Sequence, residues 1–177
     1  MKMNEKKSEV NEWLDVVDEQ NHIIGQALRD EVHRKGLRHR AAHLVIFNRQ
    51  GDLLLQKRSR NKSDFPGFWD SSAAGHLAAG ESYEACILRE AVEELGIELG
   101  ESCKKLFLLP ASPETGMEFC QVFRASHEGP FVLNKEEVED VRWYSENEIE
   151  AWLKTGGAGL TSTIRIMLAK LDFGGWK

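Results

Sequence analysis

Long apolar runs are missing from this sequence. No segment approaches the ~20 consecutive apolar residues that cross a bilayer. The opening MKMNEKKSEVNE is polar and charged, where a secretory leader would carry an apolar core. Cysteine is scarce: Cys86, Cys103 and Cys120 are an odd set of 3 without metal-type spacing. That argues against a disulfide framework and for a reducing, cytoplasmic setting. Positive charge is also in deficit, with 23 Lys and Arg against 29 Asp and Glu and a formal net charge of -6. General nucleic-acid binding is therefore not expected, although local basic patches can still form. Internal repeats and long linkers are absent. What remains is 177 residues, 41% hydrophobic and 29% charged, the profile of one domain large enough to bury a real core.

Taken in order, residues 1–11 read as a flexible tail before a single domain over residues 12–177. Trp13 to Val17 and Ile23 to Leu28 flank the polar Asp18-Glu19-Gln20-Asn21, which predicts a hairpin. A basic, histidine-rich stretch follows from Arg29 to Arg40. Strands are expected at Ala41 to Phe47, Leu53 to Lys57, Lys105 to Leu109, Glu118 to Arg124 and Asp140 to Tyr144. The polar loop from Arg58 to Asp64 leads into Phe65-Pro66-Gly67-Phe68-Trp69, read as a packed connection. Two prolines and a glycine make Pro110 to Gly116 a loop. Ser145 and Glu148 form a capping box before a helix through Leu153, and a last amphipathic helix is expected from Ser162 to Leu171. Interleaved strands and helices give an α/β (α+β) class.

The most informative stretch runs from Gly75 to Ile97, GHLAAGESYEACILREAVEELGI. Glu90, Glu93 and Glu94 follow Arg89 at helical spacing, so the carboxylates are neighbours on a helix. Such like charges repel by roughly 0.2–0.5 kcal/mol per pair, and a hard divalent cation would reverse the sign. Ala85, Leu88, Ala91, Val92 and Leu95 supply an apolar face. Ser82 suits an N-cap, and Gly96 suits the left-handed residue that ends a helix. Gly75 and Gly80 bracket a loop that delivers Glu81 to the helix start.

This stretch resembles the Nudix box, G-x5-E-x7-R-E-U-x-E-E-x-G-U with U apolar. Gly75, Glu81, Arg89, Glu90, Glu93, Glu94 and Gly96 fill every fixed position, and Ala91 and Ile97 fill apolar ones. The resemblance implies a Nudix fold, with a mixed β-sheet between helices. It also implies cleavage of a diphosphate linked to another moiety, with Mg²⁺ or Mn²⁺. On this reading Glu90, Glu93 and Glu94 hold metal, with Glu81 as a further candidate ligand. Glu90 or Glu93 doubles as general base, and Arg89 orients a neighbouring glutamate through a bidentate pair.

A second resemblance is to type I isopentenyl-diphosphate isomerase, a Nudix-fold relative. It rests on the strand order, the Phe65-to-Trp69 approach and Gly75-His76. That enzyme uses a cysteine just before its Gly-His pair and a Glu-x-Glu pair on a later strand. Here those places hold Ala74 and Gly116-Met117-Glu118, which points away from isomerisation. His39 and His76 match two of its metal-binding histidines, with His33 near a third. Arg58 and Lys62 match its diphosphate-binding basic residues. Bland readings stand beside these: satisfied or surface histidines, and a solvated polar loop. His43, the cysteines and Trp69, Trp143 and Trp152 read as structural or as pocket wall.

The expected protein is a metal-dependent hydrolase of a small-molecule diphosphate, without nucleic-acid or membrane partners. A homodimer is left open. The alternatives are an isomerase-like enzyme and a non-catalytic ligand-binding module.

Overall fold

His39–Phe47 is the axis of the molecule: eight of these nine residues are buried, all but Arg40. A strand apolar on both faces can only lie inside a sheet covered on both sides. The computed structural model describes residues 12–173; the flexible tail expected over residues 1–11 lies outside them. The elements are β1 (Trp13–Val17), β2 (Ile23–Leu28), α1 (Arg29–Lys35), β3 (His39–Phe47), β4 (Leu53–Arg58), β5 (Trp69–Asp70) and β6 (Ala73–His76). They continue as α2 (Tyr83–Leu95), β7 (Lys104–Leu109), β8 (Glu118–Ser126), β9 (Val138–Tyr144), α3 (Glu146–Lys154) and α4 (Ser162–Leu168). Among the described residues no helix is long and apolar enough to cross a membrane.

The main sheet runs β5-β4-β3-β8-β7, with β6 paired to β3 and β9 to β4. β3 and β8 are parallel along the whole of β3, from His39↔Glu118 to Phe47↔Ser126. The other edge of β3 is divided. β4 takes only Ile46 and Phe47, while β6 takes Ala41 to Leu44. At the fork the Ser72 hydroxyl replaces the missing ladder: Ile46 N donates to its Oγ at 2.8 Å, and Oγ donates to the Leu54 carbonyl at 2.6 Å. Buried backbone groups need such partners wherever a ladder stops.

Alternation along β3 sends its residues to two cores. Ala41, Val45 and Phe47 meet α3 and α4 through Ile149, Ile164, Met167 and Leu168. Ala42, Leu44 and Ile46 meet α2 through Cys86, Ile87, Ala91 and Leu95. The sheet thus lies between helices, as expected. The hairpin β1–β2 forms a small separate sheet closed by α1 over Leu14, Ala27 and Val32.

Two readings need correction. Ala85, Leu88 and Val92 do not face the sheet: all three are exposed, Leu88 at 41% and Val92 at 50%. The buried stripe of α2 is Cys86, Ile87, Ala91, Glu94 and Leu95. The apolar pattern misled because a carboxylate occupies an inward position, so α2 has no separate acidic and apolar faces. The Phe65-to-Trp69 connection is less packed than expected: Phe65 is 42% exposed and takes a left-handed φ of 48°.

The ends of α2 are as read, whereas α4 stops at Leu168 rather than at Leu171. Ser82 Oγ accepts from Ala85 N, and Gly96 closes α2 at φ 64°. A Cβ at Gly96 would lie 2.8 Å from Val132 Cβ and 2.9 Å from its carbonyl oxygen. Gly96→Ala should therefore destabilise the fold by about 2 kcal/mol, from left-handed strain plus overpacking. Urea unfolding of the two proteins side by side measures it.

Candidate metal and substrate site

α2 packs across β6, and the contact is made possible by one missing side chain. A Cβ at Gly75 would fall 1.9 Å from Glu90 Oε1, so the Glu90 carboxylate lies directly on the strand backbone. Glu94, one turn on, is buried at 7% exposure. Its Oε2 accepts from Gln56 Nε2 at 3.0 Å and from Ala74 N at 3.1 Å. Glu93 points outward, its side chain 49% exposed.

Arg89 ties this group together. Its Nε and Nη2 grip both oxygens of Glu81 at 2.9 and 3.0 Å, a bidentate pair. Nη1 reaches Glu90 at 2.6 Å and Glu93 at 3.2 Å, and Nη2 also donates to the His76 carbonyl. Glu81 accepts from Ala78 N as well. Burial would raise the Glu81 pKa, but the bond and charge of Arg89 together with the Ala78 N–H outweigh it, and the group titrates below its ordinary value.

Glu90 and Glu94 go the other way. Burial pushes Glu90 up to about 7 despite Arg89. Burial and then the charge of Glu90 push Glu94 up to about 8. Buried neighbouring carboxylates of this kind are a donor set that suits a hard cation.

The basic residues divide. Lys62 is paired with Glu137, and its charge reaches Glu94, favouring the carboxylate form. Arg58 turns to the Asp64 carbonyl at 3.1 Å and to Asp70 at 3.6 Å.

The opposite face of β6 carries a second cluster. His33 from α1, His39 from β3 and His76 from β6 lie together with ring centroids 4.9–5.1 Å apart, His33 edge-on to the other two. One ligand atom from each lies within 4.8 Å of the others. Glu118 Oε1 sits 2.9 Å from His76 Nε2 and 3.5 Å from His39 Nε2. His39 Nδ1 lies 2.9 Å from the Leu37 carbonyl, which can only accept, so Nδ1 carries a proton. That leaves Nε2 buried and without a hydrogen-bond partner. Burial lowers His76 to about 4, so its imidazole is neutral near pH 7. Burial alone would raise Glu118, but His39 and His76 outweigh it and hold the carboxyl well below its usual range. A cleft of about 330 Å³, lined by Arg29, Asp30, His33, Ser63 and Asp64, opens beside His33. A larger hollow of about 460 Å³ lies at α4 beside Glu114, and none of these groups lines it.

His43 behaves as a structural residue, buried and bonded through Nδ1 to Ser71 Oγ at 2.8 Å. Cys86 and Cys120 are core, and Cys103 is half-buried. Gln56 and Glu137 stand beside the candidate residues without having been singled out as such, while Glu118 is the retained second glutamate of the isomerase-like pair. Gln56 had a signal: it follows three leucines in a strand and is itself buried, which an amide tolerates only when bonded.

The family model of the NUDIX domain matches residues 37–163. Over 142 residues the chain is 37% identical to an uncharacterised Nudix hydrolase of Yersinia pestis, covering 80% of this chain and 78% of that protein. It is 32% identical over 145 residues to isopentenyl-diphosphate Delta-isomerase 2 of Photorhabdus laumondii, covering 80% and 82%. Its structure is similar to DR0079 of Deinococcus radiodurans, with a TM-score of 0.79 and 27% identity over 90% of this chain and 98% of that one.

The raised carboxylates fix a pH dependence. A carboxyl raised in the folded state stabilises the fold fully below the unfolded pKa of 4.5, and that contribution is lost as pH climbs through about 7 for Glu90 and about 8 for Glu94. Without added metal, the melting temperature of the protein relative to Glu94→Gln should fall as pH rises across this window. A pH series of melts on both proteins checks it, and a constant difference would contradict it.

Proposed function

The chain belongs to the Nudix family, and on that footing we propose that it is a metal-dependent hydrolase splitting the diphosphate linkage of a nucleoside diphosphate derivative or similar compound. Nudix proteins are hydrolases that typically act on nucleoside diphosphate derivatives, and they generally use divalent metals. The observation that carries the reading is the pair Glu90 and Glu94, two buried carboxylates whose pKa values burial has raised.

In this reading Glu90, Glu93 and Glu94 hold Mg²⁺ or Mn²⁺, with Glu81 at the rim. A bound ion would offset the charge of the diphosphate and supply Lewis acidity toward the attacking water. Glu90 or Glu93 takes the proton from the attacking water. Arg89 orients Glu90 and Glu81 by its fixed fork and does not touch substrate. Lys62 leaves Glu137 for a phosphate oxygen, so one cation serves in turn the free and the loaded protein. Arg58, at the far end of the same connection, adds a second donor. The location is cytoplasmic.

Isomerisation is the weaker reading even beside a similar isomerase. Ala74 offers a methyl group where a proton donor is needed. Gly116 is the left-handed cap of the turn at Pro113–Thr115, with φ 68°, a position that a glutamate would strain. A binding module would not need all four box glutamates.

The histidine group fits an ion too. His39 Nε2 is a buried, unpartnered ring nitrogen facing a carboxylate, the kind of orphan that a metal satisfies. His33, His39, His76 and Glu118 would hold it, as a nitrogen-rich set suited to zinc, manganese or iron. Elemental analysis of the purified protein should find a transition metal that His39→Ala loses. Metal content equal in the two proteins would remove this second centre.

Substrate and metal are tested together. Nucleoside diphosphate sugars, dinucleoside polyphosphates, coenzyme A esters and prenyl diphosphates in D₂O are each offered with Mg²⁺ or Mn²⁺. Hydrolysis of at least one of the first three, and no deuterium in the prenyl compounds, is the expected outcome. Glu94→Gln should lower hydrolysis by about 100-fold or more, since a ligand counts for at least as much as its supporting residues. An unaffected rate would put the metal elsewhere.

A further inference from the structure

We propose that Gln56 selects the ion at the Nudix box, by restricting Glu94 to one ligating oxygen and so favouring a small octahedral cation over calcium. The inference rests on Glu94 being a metal ligand.

Gln56 is 2% exposed and sits in the middle of β4. Its backbone is fixed on both sides, opposite Asp70 on β5 and opposite Val141 on β9. Its side chain shares a face with Leu54, which belongs to the core under α2. From there Nε2 donates to Glu94 Oε2 at 3.0 Å. Ala74 N donates to the same oxygen at 3.1 Å. A carboxylate oxygen offers about two lone-pair sites, so two donors saturate Oε2 and leave Oε1 as the open one.

Glu94 stands on a fixed stretch of backbone, with Oε2 held by its two donors. Its neighbours Ala91 and Leu95 are fully buried. The end of α2 is also stitched to the following chain, with Val132 N donating to the Leu95 carbonyl and Asn134 N to the Glu94 carbonyl.

Ligand geometry then discriminates between ions. Magnesium demands a near-ideal octahedron at about 2.0–2.1 Å and is held through one or two carboxylates, and manganese shares the octahedral oxygen preference. Calcium takes about 6–8 oxygens at longer range and draws on bidentate carboxylates. A Glu94 held to one oxygen meets the first demand and fails the second. The same bond accounts for a glutamine in a strand that otherwise calls for leucine, since an unpaired buried amide costs about 1–3 kcal/mol.

The test is calorimetric titration of the whole protein with Mn²⁺ and with Ca²⁺, with melting curves alongside. Gln56→Met keeps the length and removes the donor. Its Mn²⁺ affinity should fall by about 10–100-fold, as when a metal ligand loses its supporting bond. Its Ca²⁺ affinity should hold or rise, and its melting temperature should stay near wild type, which separates ion selection from a merely structural role. A Mn²⁺/Ca²⁺ preference unchanged in Gln56→Met, or both affinities falling together, overturns the proposal. Glu94→Gln is titrated in the same series. Mn²⁺ binding untouched by that change overturns instead the reading of Glu94 as a ligand.

Discussion

One guanidinium makes the acidic end of α2 tenable. Arg89 contacts Glu81, Glu90, Glu93 and the His76 carbonyl at once. Without it, carboxylates spaced one turn apart and partly withdrawn from water would only repel. A lysine could meet the charge but not the geometry, because the fork reaches several acceptors in fixed directions. Arg89 fastens three parts of the chain: the end of β6 through His76, the loop through Glu81, and the helix on which it stands. Its position beside Glu90 helps keep that carboxylate over Gly75.

β6 is the hinge of the chemistry. Gly75 and His76 are adjacent in sequence but serve opposite faces of the sheet. Gly75 makes room for Glu90 under α2, and His76 joins His39 and Glu118 on the other side. Ala74 takes part in both directions, donating its N–H to Glu94 while its methyl faces the same way as His43, its partner on β3. The divided edge of β3 makes this possible, since β6 lies where a longer β4 would otherwise have run.

Much of this was legible from the residues. The box, the caps at Ser82 and Gly96 and the hairpin β1–β2 followed from spacing and turn chemistry, which are local. The rotation of α2 was not legible, because Leu88 and Val92 are as apolar as Ile87. Only the sheet decides which row is covered, and it covers Glu94 with the rest. The helix α1 within the basic stretch Arg29 to Arg40 was also unread, because its one buried residue, Val32, leaves no period to detect. Lys62 could be guessed as a phosphate contact, but its pairing with Glu137, 75 residues away, is purely tertiary.

The two-faced character of β6 limits how such a chain can vary in length. Substituting one of its residues disturbs one face. Deleting or inserting a residue between Ser72 and His76 would shift every later side chain by half a period and exchange the faces. A deletion would drive the imidazole into the place of Gly75 under α2, where there is no space even for a methyl group, and an insertion would put the glycine where the histidine cluster needs its imidazole. The polar connection from Arg58 to Phe68 has no such parity to keep and can lengthen or shorten. Variation in recognition can therefore accumulate in that connection, while the four residues of β6 stay fixed in number.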